Sequence, residues 1–175
     1  IYTKATTILV DDPLFTFIGS GKILGGVPIQ FVYMLVVIVI SGLILNRTKF
    51  GRNIYAVGDN KQAASYSGIN SRRVTMTVFV IMGIFASCAG ILSSARTFSA
   101  QFNVGEGSEM DAISAVVLGG TSMSGGVGRL SGTIIGCIVI GVLNNGMNIL
   151  GIDSSWQYVV KGVVVLIAVF IDYIK

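Results

Sequence analysis

The stretch Pro28-Ile-Gln-Phe-Val-Tyr-Met-Leu-Val-Val-Ile-Val-Ile-Ser-Gly-Leu-Ile-Leu-Asn46 holds 19 consecutive residues without a charge. As an α-helix it would be roughly 28 Å long, about the hydrocarbon thickness of a bilayer, and Pro28 suits a helix start. Two further uncharged runs of spanning length follow, Val74 to Ala95 closed by Arg96 and Ser131 to Leu150. Asp153 and Ser154 offer N-caps for a last helix, Trp156 to Ile171, with Trp156 and Tyr158 at one membrane interface and Tyr173 with Lys175 at the other. Composition agrees: 53% of residues are hydrophobic and only 11% charged, and mean hydropathy is +0.81. Soluble domains carry about 25% charged residues, so a bilayer is the natural solvent for most of this chain.

The segment Ala112 to Ser124 is apolar at first and then turns into Gly119-Gly120-Thr121-Ser122. It is short for a span, which predicts a short or re-entrant helix shielded by protein. The fold class is therefore an all-α, polytopic transmembrane helix bundle, with four full spans plus one short or re-entrant helix in a single transmembrane domain over 1–175. Residues 1–27, with Asp11, Asp12, Pro13 and several glycines, read as an extramembranous loop. Residues 47–73 hold Arg47, Lys49, Arg52, Lys61, Arg72 and Arg73 against the single acid Asp59. Placing that loop in the cytoplasm fixes the other loops by alternation if 112–124 crosses. Its six basic residues plus Arg129 and Lys175 put eight of the 12 on the inner side, as the positive-inside rule requires.

Several chemistries are excluded. There is no histidine and the acids are scattered, so no metal-ligating set and no poised nucleophile with a base is expected. Cys88 and Cys137 sit in apolar segments and read as small buried hydrophobes. Gly19-Ser20-Gly21-Lys22 imitates the end of a phosphate-binding loop, but Thr16 stands where the earlier glycine belongs and Ile23 replaces the hydroxyl residue. Gly126-Val127-Gly128 lacks the third glycine of a dinucleotide loop, and Asn46-Arg47-Thr48 lies at a cytoplasmic helix end, where glycosylation is not needed to explain it. The net charge of +4 gathers at the ends of apolar runs, which is a topology signal and no nucleic-acid footprint. The chain opens at Ile1 within a polar stretch and shows no signal peptide, so a C-terminal fragment of a longer protein is expected.

Within the spans, Gly128, Gly132 and Gly136 recur every four residues and form one smooth ridge for close helix packing; Gly83 with Ser87, and Ala86 with Gly90, repeat the device. Ser114, Thr121, Ser122 and Ser124, then Asn144, Asn145 and Asn148, are polar but uncharged. A path for a neutral, hydroxyl-rich solute would want such groups, and interhelical hydrogen bonding is the plainer use. Lys161, the one clear charge inside a span, is expected to snorkel to the interface, with a buried partner as the other reading. In the basic loop, Asn60 to Ile69 reads as a short helix with a small-residue face and a glycine stop, fit for a groove on a cytoplasmic partner.

These stretches resemble the permeases of bacterial ABC importers for ribose and related monosaccharides, together with those for autoinducer-2. The matching residues are Thr48-Lys-Phe-Gly-Arg-Asn-Ile-Tyr-Ala-Val-Gly58, Ala63-Ala-Ser-Tyr-Ser-Gly-Ile69, Gly105-Glu-Gly-Ser-Glu-Met-Asp-Ala-Ile113, Val117-Leu-Gly-Gly-Thr-Ser122, Gly125-Gly126 and Asn145-Gly146. They run in order from about residue 19 to the C-terminus; residues 1–18 match only loosely. The resemblance implies a multi-pass subunit of the bacterial inner membrane that imports a monosaccharide or a sugar-like signal. Its partners would be cytoplasmic ABC ATPase subunits, a second permease copy or sister permease, a periplasmic solute-binding protein and the lipid bilayer, with no nucleic acid. Residues 47–73 would be the ATPase-coupling loop, carried by Gly51, Arg52, Ala63, Ala64 and Gly68. The candidate translocation path comprises Ser114, Thr121, Ser122, Asn144 and Asn145. No catalytic, cofactor or metal site belongs to this chain, because ATP and magnesium would sit on the partner ATPase. Where the family often has an acid before the Ala-Ala pair, this chain has Lys61-Gln62, which bears on partner choice. The competing transporter reading is a branched-chain amino acid permease.

Overall fold

A computed structural model describes residues 8–9, 13–23, 26–100 and 105–174. Its elements are β1 (Ile8–Leu9), α1 (Pro13–Ser20), β2 (Lys22–Ile23), β3 (Val27–Pro28), α2 (Ile29–Arg47), α3 (Lys49–Asp59), α4 (Lys61–Tyr66), α5 (Ser71–Thr97), β4 (Ser99–Ala100), α6 (Ser108–Leu118), α7 (Leu130–Ile149) and α8 (Ser154–Ile174). Three helices, α2, α5 and α7, are long and apolar enough to cross a membrane, and α8 contributes a shorter apolar stretch, Ser154–Phe170. The architecture is the all-α, polytopic membrane type. The chain divides into two compact units, one of residues 1–44 and 75–106, the other of 45–74 and 107–175.

In the first unit, the segment expected to be a loop is built. Gly19 lies so close to the Ala95 carbonyl of α5 that any Cβ there would overlap it. Gln30 Nε2 at the start of α2 donates to the Gly19 carbonyl at 2.6 Å, and Ile29 N donates to the Gly21 carbonyl at 2.9 Å. The glycines that imitate a phosphate loop are thus spent on chain packing. β2 and β3 form a two-residue hairpin ladder, and β1 pairs antiparallel with β4, Ile8 opposite Ala100. Two segments that alternation puts on the outer side are joined by that ladder. Asp11, Asp12, Gly25 and Lys175 of the sequence reading lie outside the described residues.

In the second unit, α6 packs on α7 and α8. Its 11 residues extend about 16 Å, short of a hydrocarbon core of about 30 Å. Ala115 meets Gly136, and Gly119 meets Gly132, so α6 and α7 are antiparallel; a Cβ on Gly119 would stand 2.6 Å from the Gly132 carbonyl carbon. A Cβ on Gly128 would stand 3.1 Å from Thr121 Cγ2. The segment after α6 therefore stays at the starting end of α7 and does not fold back to where α6 began. This geometry is that of an antiparallel helix hairpin with a short first arm, the arrangement that a crossing segment requires. The turn that completes the arm satisfies its own backbone: Gly119 N, Gly120 N and Thr121 N donate to the Ala115, Val117 and Val116 carbonyls, and Ser122 N donates to the Val127 carbonyl. Irregular backbone at membrane depth needs that closure.

Two expectations are corrected. Cys88 and Cys137 are exposed on helix faces, because lipid, not protein, is the apolar medium for an outward-facing thiol in a span. Gly83 and Gly90 on α5 have open space around them, so that ridge meets no neighbour among the described residues. The contrast between filled and open glycines gives a direct test. In the membrane-extracted protein, Gly136→Val, whose Cβ would overlap the Ala115 carbonyl, abolishes recovery of monodisperse protein by fluorescence size-exclusion chromatography. Gly141→Val on the same helix, with nothing within 4 Å of its Cβ position, leaves recovery near that of the parent.

Candidate functional site

The basic loop is a self-supporting platform. Thr48 caps α3, its Oγ1 accepting from Gly51 N at 3.0 Å, and Asn60 Oδ1 caps α4 by accepting from Gln62 N and Ala63 N at 2.9 and 3.0 Å. α4 ends at Gly68 in the left-handed region, φ 78°, where Ile69 N donates to the Ala64 carbonyl and Gly68 N to the Ser65 carbonyl. That pattern is the glycine stop that only a residue without Cβ adopts freely. Val57, Ala64 and Val74 are buried together, with Phe50, Ile54 and Ile69 packed around them. Ala63 and Ala64 therefore part company: Ala64 is internal to the loop, while Ala63 is exposed beside Gln62 and Tyr66, the latter 91% exposed. Gly51 is buried under the Thr48 cap and Arg52 is exposed.

This platform sits on the turn between α6 and α7. Tyr55 Oη donates to the Gly128 carbonyl at 3.2 Å. A Cβ on Gly58 would stand 2.7 Å from Gly126 N, and one on Gly126 would stand 2.9 Å from Asp59 Cα, so main chain rests on main chain. Beside the contact lies an open, mostly apolar cleft of about 310 Å³, whose rim includes Tyr55, Thr121, Ser122, Arg129 and Thr133.

At the other end of the helix hairpin is a buried charge cluster. Lys161 is only 7% exposed and its Nζ contacts Asp111 Oδ1 at 2.5 Å, an ion-pair contact outside hydrogen-bond alignment. Asn144 Nδ2 donates to Asp111 Oδ2 at 2.9 Å, which leaves the buried Asn144 Oδ1 without a hydrogen-bond partner among the described residues. The Tyr158 ring centroid is 5.6 Å from Nζ, and the same ring fills the space over Gly107, where a Cβ would stand 2.6 Å from Tyr158 Cε1. The expected snorkelling of Lys161 is thus corrected: α8 runs beside α6 in the same direction, so Lys161 finds a carboxylate within reach and need not extend to the interface. Asp111 lies in the first turn of α6. The signal that could have revealed it is the lone charge of Lys161 itself, which in a span asks for an opposite one.

The candidate path residues are not gathered in one place. Ser114 is 1% exposed and its Oγ donates to the Met110 carbonyl at 2.6 Å within its own helix. Asn144 belongs to the charge cluster, Asn145 is exposed on α7, and Thr121 and Ser122 line the cleft near the platform. Gly128, Gly132 and Gly136 all face α6 or the turn after it. No group of metal-ligating side chains exists among the described residues. Removing one member of a buried ion pair leaves the other uncompensated, at a cost of about 3–5 kcal/mol when burial is complete and less where, as at Asp111, a third of the side chain is exposed. Lys161→Met accordingly lowers the protein's thermal midpoint in detergent by several degrees, and Lys161→Met with Asp111→Asn recovers most of the loss; equal losses in both would contradict the pairing.

A family profile described as "Branched-chain amino acid transport system / permease component" matches residues 3–169. The chain is 48% identical over 158 residues to the ribose import permease protein RbsC of Bacillus subtilis (strain 168), covering 90% of this chain and 49% of that protein. Against RbsC of Escherichia coli (strain K12) it is 48% identical over 159 residues, 91% of this chain and 49% of the relative. Against the xylose transport system permease protein XylH of Haemophilus influenzae it is 44% identical over 148 residues, 84% and 39% of the two chains. The chain thus spans about half the length of these curated relatives. No solved structure matches it. Apolar helices of spanning length and a profile match over nearly the whole chain together show a multi-pass membrane protein that belongs to this family of transport-system permease components.

Proposed function

We propose that this chain is part of the permease subunit of an ATP-binding-cassette importer that carries a monosaccharide, ribose or a close analogue, across the bacterial inner membrane. The permease works as a pair, with a second copy or a sister subunit. It is fed by a periplasmic solute-binding protein and driven by cytoplasmic ATPases that hold the ATP and magnesium. The observation that carries the reading is the α3–α4 platform, a basic and pre-folded surface with Ala63 and Tyr66 exposed over a private core. A loop with its own core keeps its shape when loaded, which a merely solvated connection does not. Arg52 and Lys61 add exposed positive charge to that face.

The choice of a sugar rests on relatives named for ribose and xylose, supported by the electrostatics of the spans. The one cation buried among the described helices is paired with Asp111 and so is not offered to a solute. A zwitterionic amino acid asks for charged or helix-terminus partners instead, so the branched-chain substrate in the family's description fits this chain less well. Affinity purification of the tagged full-length permease from native membranes recovers the ATPase subunit. Ala63→Arg lowers that recovery by about tenfold, the scale of one lost interface hot spot, while leaving the permease folded. Full ATPase recovery with Ala63→Arg, or none from the parent, would contradict the reading.

A further inference from the structure

The seat of the platform on the turn after α6 has a property that its position alone does not require. Gly58 in the last turn of α3 meets Gly125 and Gly126, main chain on main chain, with no side chain between them to bend or change rotamer. Gly125 and Gly126 both lie in the left-handed region, φ 97° and 73°, and a Cβ on Gly125 would overlap the Gly58 carbonyl. Two consecutive residues of that kind demand glycine at the turn, because any L side chain there is strained. On the near side, α4 is locked to α3 through Val57, Ala64 and Val74. On the far side, the turn runs into Gly119 and Gly132, which are again in backbone contact, and then into Ala115 and Gly136. Side-chain packing from α4 to α3, backbone contact at the seat and backbone contact again between α6 and α7 thus connect α4 to the body of α6. The cleft of about 310 Å³ flanks the seat, so the neighbouring surface of α3 is not packed against the hairpin there.

Resting on the coupling role proposed above, we infer that the Gly58–Gly125–Gly126 seat is the joint through which movement of α4 reaches the α6–α7 hairpin, with Gly58 and Tyr55 as its positioning residues. Steric contact between backbones transmits compression strongly, whereas a contact this small resists separation only weakly. The hydrogen bond from Tyr55 Oη to the Gly128 carbonyl, 3.2 Å, supplies the tie that draws the hairpin back when the platform is withdrawn. Gly58 therefore serves the push and Tyr55 the return.

The test uses the full-length permease assembled with its ATPases in lipid nanodiscs, in a cysteine-free background. A single environment-sensitive fluorophore is placed at Met110→Cys, an exposed position in the first turn of α6. The expected result is an ATP-dependent fluorescence change in the parent. Tyr55→Phe reduces its amplitude by about two- to tenfold, the equilibrium effect of one hydrogen bond. Gly58→Val reduces it by about tenfold, within the range by which substitutions along a coupled network alter coupling. Both retain bound ATPases and ATP hydrolysis, which a simple loss of folding would not. An undiminished signal in both variants, a fall in signal and hydrolysis in the same proportion, or no signal in the parent with ATPases bound overturns the joint. If Gly58→Val does not assemble, Tyr55→Phe decides alone. Failure of the parent to bind ATPases at all counts against the proposed function, and is thereby distinguished from failure of the joint.

Discussion

The second unit depends on one constraint, the approach of the α6 backbone to a face of α7 that carries no side chains. Gly132 and Gly136 admit the carbonyls of Gly119 and Ala115 to distances that no Cβ would permit. In lipid there is no hydrophobic gain from pairing two apolar helices, so close van der Waals contact between backbones is what holds them. That contact lets an 11-residue helix serve as one arm of an antiparallel hairpin, extended by a turn that satisfies its own hydrogen bonds. It also sets the depth of everything attached: the turn that meets the loop at one end and the carboxylate of Asp111 at the other.

The same register explains why a charge pair exists within the bundle. α8 runs alongside α6, bringing Lys161 to Asp111 as Tyr158 comes to Gly107. A lone lysine at that depth would have to reach for the interface or lose its charge. Paired, it becomes a fastening between the short arm and the last helix, and Asn144 ties the second oxygen of Asp111 to α7. α6, α7 and α8 are thereby joined at one end by charge and hydrogen bonding, and α6 and α7 at the other by bare backbone.

Much of this was legible in the sequence because a bilayer leaves a coarse signature. Uncharged runs of spanning length located α2, α5 and α7, and the four-residue glycine spacing marked the face that α6 occupies. The Asn60 cap and the Gly68 stop bounded α4, since capping is local chemistry. What escaped depended on contacts between distant segments. Nothing near Lys161 in the chain announces Asp111, 50 positions earlier, and nothing around Pro13 announces that Gly19 will rest on Ala95. The Ala63-Ala64 pair looked like one small-residue face, yet a helix turns about 100° per residue, and that rotation sends Ala64 inward and leaves Ala63 out. The path residues were chosen by chemistry alone, and Ser114 and Asn144 were claimed by their own helices and neighbours.

On the proposed function this is a mechanical subunit, with a basic platform, a paired charge inside the bundle and, among the described residues, no group of metal-ligating side chains. The most direct test of that account is uptake of radiolabelled ribose into proteoliposomes containing the full-length permease, its ATPases and enclosed ATP-regenerating capacity, with the solute-binding protein outside. The account predicts ATP-dependent accumulation that excess unlabelled ribose or xylose suppresses and excess leucine does not. Accumulation of leucine in place of ribose, or ribose entry that proceeds equally without ATP, would contradict it.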